Sequence, residues 1–198
     1  MRHALLTALL LLTAAAARAQ LLSQAALDST RTYRSLERAL AEPDRVYRLD
    51  LSGQKLKAVP EGIRQLNRLN ALDLSGNRLK ELPAWLGELT AMQEFRASRN
   101  RLSQFPEAVC KWRHLKRLDL SRNDIAAVPK CAGGLKQLVS LDLWDTDVAD
   151  FPRELGDMDA LRFLDLRNIQ YSQEEMDRIQ ELLPKTKIHF SAPCDCGM

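Results

Sequence analysis

The chain has 198 residues, of which 45% are hydrophobic and 28% charged, and it contains four cysteines. This length allows one domain with a sizeable core, and the composition is typical of a globular protein. The formal net charge of +3 excludes a broad electrostatic field for nucleic acid or for an acidic membrane. Four cysteines are too few for a scaffold built on disulfides.

The first 20 residues, MRHALLTALLLLTAAAARAQ, have the pattern of an export signal. An apolar run from Ala4 to Ala17 is followed by Ala17-Arg18-Ala19, which fits a small-x-small cleavage site before Gln20. The run is shorter than the about 20 apolar residues of a transmembrane helix. An uncleaved N-terminal anchor is the alternative. We predict a signal peptide over residues 1–19 and export to the periplasm, the cell surface or the medium.

Residues 20–45 are predicted to form an N-terminal tail and a helical cap. We expect residues 20–31 to be loose, as chain ends often are. The sequence YRSLERALAEPDRV then predicts a short helix from about Ser35 to Ala41. Its Leu36, Ala39 and Leu40 would cover the first unit of the repeat that follows.

An internal repeat with a period of 23 residues dominates residues 46–171. Two apolar columns and one proline column carry this spacing through about six units. They are Leu49, Leu72, Phe95, Leu118, Leu141 and Leu164; Leu51, Leu74, Ala97, Leu120, Leu143 and Leu166; and Pro60, Pro83, Pro106, Pro129 and Pro152.

Each unit reads as a strand followed by an irregular return path. In ALDLS, Leu72 and Leu74 alternate with polar or small residues, as in a short strand with one buried face. After Pro83, the sequence AWLGEL permits only a short helical piece. Stacked units would bury their apolar faces as a parallel sheet with a continuous core.

Units such as LNALDLSGNRLKELPAWLGELTA match the pattern L-x-x-L-x-L-x-x-N-x-L. The chain therefore resembles the leucine-rich repeat family, in the 23-residue form of Ras-suppressor-like and bacterial members, and is similar to small exported bacterial proteins of that family. The resemblance implies an α/β solenoid, a horseshoe segment with a parallel concave sheet and a short helical or irregular convex side. It leaves the partner open, because the family binds many unrelated partners.

The chain end reads as a second cap over residues 172–191, followed by a cysteine-containing tail over 192–198. Ser172 and Glu175 form a capping-box pattern before an apolar helical stripe that Pro184 ends. The sequence KIHFS at 187–191 predicts a seventh strand, one residue late against the period. We expect the last residues to be a loose tail.

The resemblance assigns Asn77, Asn100 and Asn123 to a structural column whose side chains bond the backbone of adjacent turns. A second column runs along the predicted concave face: Asp50, Asp73, Asp119, Asp142 and Asp165, interrupted by Arg96. Calcium binding or acid–base catalysis is one interpretation of these carboxylates. We favour a structural one, and predict no metal site, no cofactor and no catalytic residue, because no nucleotide-binding, nucleophile or metalloprotease motif is present.

Variation between units points to a binding surface on the concave face of the middle and C-terminal repeats. The candidates are Arg96, Arg99, Arg117, Arg122, Asp142, Trp144, Asp145, Phe163 and Arg167. Trp144 stands where earlier units have serine, and an aromatic residue beside arginines is typical of a binding hot spot. Two alternatives stay open: Trp144 packs on Phe163 or in the C-terminal cap, and the arginines only neutralise the aspartates.

Cys110 and Cys131 fall on the convex side of adjacent units and are candidates for a disulfide. Cys194 and Cys196 would form a bridge or a reactive tail.

We predict an exported, non-enzymatic protein that binds an unknown protein or peptide, with no nucleic-acid partner and no transmembrane segment in the mature chain. The alternatives are a structural or adhesion component of the cell envelope and, less favoured, an intracellular signalling scaffold.

Overall fold

The computed structural model describes residues 20–193, and eight parallel strands form one sheet over this range. Strands that follow each other in the chain are neighbours in the sheet. They are β1 Thr32–Tyr33, β2 Arg48–Asp50, β3 Ala71–Asp73, β4 Glu94–Arg96, β5 Arg117–Asp119, β6 Ser140–Asp142, β7 Phe163–Leu166 and β8 Lys187–Phe190. The predicted α/β solenoid is confirmed.

The register of the sheet reproduces the sequence period. Leu49 pairs with Leu72, and the same column continues through Phe95, Leu118, Leu141 and Leu164. The last step pairs Leu164 with Ile188, one residue later than the period. If the pairing of a strand shifted by one residue, its buried and exposed side chains would change places. The constant 23-residue spacing prevents this and keeps all these apolar side chains in one core.

The convex side consists of 3₁₀ turns rather than α-helices. The first covers Pro43–Arg45, and each of the others follows a proline whose φ lies between −64° and −75°. Proline fixes φ in this range and cannot donate to a preceding turn. The other five are Glu61–Gln65, Ala84–Glu88, Glu107–Lys111, Lys130–Gly134 and Arg153–Asp157.

The core between sheet and turns is continuous and is filled mainly by leucine. Trp112 is fully buried, packs edge-on against Phe95 with ring centroids 5.0 Å apart, and donates from Nε1 to the Leu86 carbonyl at 3.2 Å. This bond satisfies the indole N–H inside an apolar core, which a buried tryptophan requires.

The asparagine column holds the loops that follow the strands. Asn123 accepts the Leu102 N–H at 3.0 Å and donates to the carbonyls of Ala97 and Leu120 at 3.0 and 2.8 Å. Asn100 and Asn77 make the equivalent bonds one and two units earlier, respectively. Each asparagine therefore satisfies buried backbone groups of two consecutive units, which would otherwise cost free energy.

Both ends of the solenoid are covered. Helix α1 spans Gln24–Asp28 and α2 spans Leu36–Ala41, and α2 begins after Ser35, whose side chain accepts the Arg38 N–H. At the other end, α3 spans Gln173–Leu182 and begins with the complete Ser172–Glu175 capping box. Phe151, Tyr171 and Phe190 form an aromatic cluster at this end.

The N-terminal region departs from two expectations. Residues 20–31 are not a loose tail: they contain α1, and Leu27 has no exposed surface. Thr32 and Tyr33 add a strand ahead of the first repeat, so the sheet has eight strands over residues 20–193 instead of seven. A two-residue strand has no periodicity to detect, and its pairing with β2 is a tertiary contact.

Cys110 and Cys131 are joined by a disulfide with their Cα atoms 5.7 Å apart, linking two adjacent convex turns. The predicted signal peptide, Cys194 and Cys196 lie outside the described residues. Within residues 20–193, no helix has the length and apolar character needed to cross a membrane.

Candidate binding face

Strand alternation presents three columns of side chains on the concave face. The first two columns follow from the strand register, and the third comes directly after the strands. The first column is Arg48, Ala71, Glu94, Arg117, Ser140, Phe163 and Lys187; the second is Asp50, Asp73, Arg96, Asp119, Asp142, Asp165 and His189; the third includes Ser75, Ser98, Ser121, Trp144 and Arg167. Neighbouring members lie one strand spacing apart, about 4.8 Å.

The face has a covered half and an open half. Over β2–β4, Ala71 and Glu94 are buried although strand alternation directs them outward. The N-terminal segment (residues 20–28) contacts this half through hydrogen bonds that include Gln24 to Glu94. Over β5–β8, Phe163 is 53% exposed. The open half is therefore the part that a large partner can reach directly.

The aspartate column closes the turns that follow the strands. In each of its five units, one carboxylate oxygen accepts the backbone N–H two residues later, at 2.8–3.1 Å. Such a bond fixes the chain as it leaves the strand. Among residues 20–193, no group of three or more His, Cys, Asp or Glu side chains is placed to hold a metal ion.

The carboxylates of the open half are held in two different ways. Burial raises the pKa of Asp142, and the carboxylates of Asp119 and Asp165 raise it further. Burial would also raise the pKa of Asp165, but hydrogen bonds from Arg167 outweigh it and hold that pKa below its ordinary value. The Arg167 guanidinium binds both oxygens of Asp165, with a closest distance of 2.6 Å.

Trp144 belongs to a compact polar and aromatic cluster. The Arg122 guanidinium lies 5.1 Å from the centre of the Trp144 indole, within range of a cation–π interaction. Arg122 Nε is also 3.5 Å from Oδ2 of Asp145, and Oδ1 of the same carboxylate accepts a hydrogen bond from Asn168. The aromatic contacts recorded for residues 20–193 do not pair Trp144 with Phe163 or with the C-terminal aromatic cluster.

The remaining predicted arginines are more exposed. Arg117 is 54% exposed and pairs with Glu94 at 3.1 Å, at the border between the two halves. Arg96 and Arg99 are exposed and make no ion pair with any residue of the described range. These two guanidinium groups therefore do not neutralise the aspartate column by direct pairing.

Arg99 and Arg122 also stand at an unusual backbone position. Their φ values are +53° and +54°, and the same repeat position is occupied by Gly53 and Gly76 with φ +68°. A non-glycine residue in this region costs about 1–3 kcal/mol. The chain thus carries arginine at a position where glycine fits more easily.

The residues that hold the N-terminal segment were not predicted from the sequence. Asn70 and Gln93 stand just before β3 and β4, and their side chains are almost completely buried. The period offers only a weak signal, two carboxamide residues 23 positions apart. Their partner segment has no repeat, so its docking is visible only in three dimensions.

The fold and the face define a repeat solenoid of the binding-scaffold class. The family model described as "Leucine rich repeat" matches residues 44–102, and the strand register carries the same pattern through Leu164. Together with the solved structures described below, these findings support a leucine-rich repeat family for the chain. The family and these neighbours are non-enzymatic binding scaffolds, which is consistent with the prediction that the chain is not an enzyme.

Two solved structures illustrate the likeness. A leucine-rich repeat protein of Leptospira interrogans is 26% identical with a TM-score of 0.63, and the match covers 83% of this chain and 49% of that one. Internalin C2 of Listeria monocytogenes is 20% identical with a TM-score of 0.61, covering 74% of this chain and 62% of that one. The chain thus spans about half of the first protein, and the likeness to internalin C2 shows the fold alone. A comparison with curated proteins finds no match.

Proposed function

We propose that this leucine-rich repeat protein is exported and binds a protein or peptide through the open half of its concave face. The observation that carries the proposal is the exposure of Phe163 (53%) on the same half of the face as the Arg122–Trp144 stack. Large aromatic and arginine side chains dominate the binding energy of protein interfaces. The cation–π pair orders the indole before binding, which lowers the entropic cost of association.

The charge pattern favours a partner with both apolar and polar groups. Phe163 and Trp144 offer apolar contact, and Asp142 is a carboxylate at the centre of the open half. Arg96 and Arg99 are exposed cations on β4 and the loop after it, next to the open half. Interfaces of this kind combine an apolar centre with a polar rim. A peptide or loop with an apolar residue flanked by an acidic group meets these requirements.

A pull-down from the native cell envelope tests the binding face with a matched pair of variants. Trp144→Ala, alone or with Phe163→Ala, should lose the partner. Trp85→Ala is the control, because Trp85 is also half-buried and also stacks on an arginine (Arg64, 5.6 Å), but lies on a convex turn. Loss with Trp85→Ala but not with Trp144→Ala would contradict the proposal.

Partner capture that survives Trp144→Ala and Phe163→Ala but requires residues 192–198 would instead favour the adhesion or envelope-component alternative.

Export is supported by the N-terminal signal pattern and by the Cys110–Cys131 disulfide, since disulfides persist mainly in oxidising compartments. Mass spectrometry of material outside the cytoplasm should find a chain that begins at Gln20. An uncleaved chain confined to the cytoplasm would contradict export.

A further inference from the structure

The N-terminal segment contacts the covered half of the face in the manner of a bound peptide. The Asn70 side chain accepts the Leu22 N–H at 3.0 Å and donates to the Gln20 carbonyl at 3.0 Å. The Gln93 side chain donates to the Leu22 carbonyl at 2.9 Å and to the Asn70 carboxamide oxygen at 2.8 Å. Two linked carboxamides, each just before one of two neighbouring strands, thus bind the main chain of the segment. Both are at most 1% exposed.

Leu27 provides an apolar anchor for the segment. It has no exposed surface, yet neither Leu27 nor Ala71 belongs to the continuous core of the solenoid. Arg48, the neighbour of Ala71 in the first column, donates to the Leu27 carbonyl at 3.5 Å. The hydrogen bonds of Arg48 to the Leu27 carbonyl and of Gln24 to Glu94 place the helix that carries the anchor over the first column. Ala71 is the small residue between Arg48 and Glu94 in that column.

Charged groups complete the contact. The Glu94 carboxylate is buried and accepts from Gln24 Nε2 at 2.7 Å, from Arg48 at 3.2 Å and from Arg117 at 3.1 Å. Asp28 pairs with Arg48 at 3.2 Å. The segment thus supplies one amide and one carboxylate to groups that the sheet holds in fixed positions.

We propose that the covered half of the concave face is a second peptide-binding site, which residues 20–28 occupy in cis. Main-chain hydrogen bonds give such a site affinity, and an apolar anchor with polar neighbours gives it specificity. Its external ligand is a peptide with a glutamine and a leucine one helical turn apart, followed by an acidic residue, as in the QAALD of α1. Tethering gives the cis segment a high effective concentration, so an external peptide binds only when the segment leaves.

The test uses the full-length chain and a fluorescein-labelled peptide with the sequence of residues 20–29, QLLSQAALDS. Leu27→Asp should release the segment and open the site. Fluorescence anisotropy should then show that the peptide binds this variant at least about tenfold more tightly than it binds the wild type. This factor is expected if the segment occupies the site in at least about nine tenths of the wild-type molecules. Leu21→Asp is the matched control, because Leu21 is 45% exposed, and should bind no better than the wild type. A labelled peptide carrying aspartate in place of the anchor leucine should not bind.

A folded Leu27→Asp protein that does not bind the peptide, or that binds the altered peptide equally well, would overturn the proposal. Should Leu27→Asp unfold, the double variant Gln24→Ala/Asp28→Ala removes two polar contacts and keeps the anchor. It should raise hydrogen exchange at residues 22–28 and bind the peptide more tightly than the wild type, and failure to do so would equally overturn the proposal. Trp144→Ala should not change peptide binding, whether it is made in the wild type or in the variant that releases the segment. The test of this second site is therefore independent of the proposed binding at the open half.

Discussion

The two neighbouring carboxylates Asp142 and Asp165 differ in what surrounds them. The Asp142 carboxyl is partly buried between Asp119 and Asp165, and its pKa is raised. Asp165 is bound by Arg167 and its pKa is lowered. A raised pKa means that ionisation costs folding free energy, and a lowered one means that it contributes to stability.

These shifts predict opposite effects of two isosteric substitutions on stability. Asp142→Asn should raise the urea midpoint at about pH 7, because it removes a carboxylate that the folded state disfavours while its amide oxygen can still accept the Trp144 N–H. The gain should develop as pH rises above the ordinary carboxyl pKa and vanish near pH ~3, where the group is protonated in both states.

Asp165→Asn serves as the control and should show the reverse sign. It should lower the midpoint at about pH 7, and its effect should fade as pH decreases through the lowered pKa of the folded state. Equal effects of the two substitutions at neutral pH would contradict the assignment of the charges on the face.

At the scale of one element, the convex turns pack closely enough to restrict side chains. A Cβ added at Gly133 would overlap the carbonyl oxygen of Glu154 and lie 2.8 Å from its carbonyl carbon. Gly134, the next residue of the same turn, has no atom within 4 Å of such a Cβ. The contact is with backbone, which cannot move aside as a flexible side chain can.

The two glycines therefore give a matched test of turn packing. Gly133→Ala should lower the free energy of unfolding by about 1–3 kcal/mol through overpacking. Gly134→Ala should leave it unchanged or raise it by about 0.4–1 kcal/mol by restricting the unfolded chain. Urea denaturation of both variants measures the difference, and equal stabilities would show that the turns are not packed as described.

At the scale of the whole molecule, stability depends on contacts between neighbouring units. Each strand pairs only with the strands before and after it in the chain, so the solenoid behaves as a one-dimensional array. The Cys110–Cys131 disulfide adds a covalent link between adjacent turns in the middle of this array, across 21 residues.

Reduction of the Cys110–Cys131 disulfide is predicted to destabilise the array. A loop of this length corresponds to a loss of about 3 kcal/mol when the disulfide is removed. Urea denaturation with and without reductant should show this loss for the wild type. The variant Cys110→Ala/Cys131→Ala should match the reduced wild type, and unchanged unfolding of the wild type in reductant would contradict the prediction.

Because of the repeat, most of the fold could be predicted from the sequence. Leucine, proline and asparagine recur at fixed spacing because each unit must bury the same face, begin the same turn and satisfy the same backbone groups. The capping box could be predicted equally well, since it depends only on Ser172 and Glu175, which are three positions apart. The strand at Thr32–Tyr33 and helix α1 were missed because neither has a period or a strong local signal.

The candidate face was only partly predictable. Alternation along each strand, continued into the residues just after it, places Arg117, Phe163 and Trp144 outward, and this is a local property. The sequence could not show that Arg122 stacks on Trp144 or that Asp165 is bound by Arg167, because these contacts depend on rotamers and on spacing between side chains.

The sequence by itself determined the solenoid, its register and its lack of catalytic motifs, because these follow from a period that every unit repeats. Tertiary structure alone decided which part of the concave face is open. Residues 20–28 carry no repeat, and their position depends on Asn70, Gln93 and the buried Glu94, which meet them only after the sheet has formed.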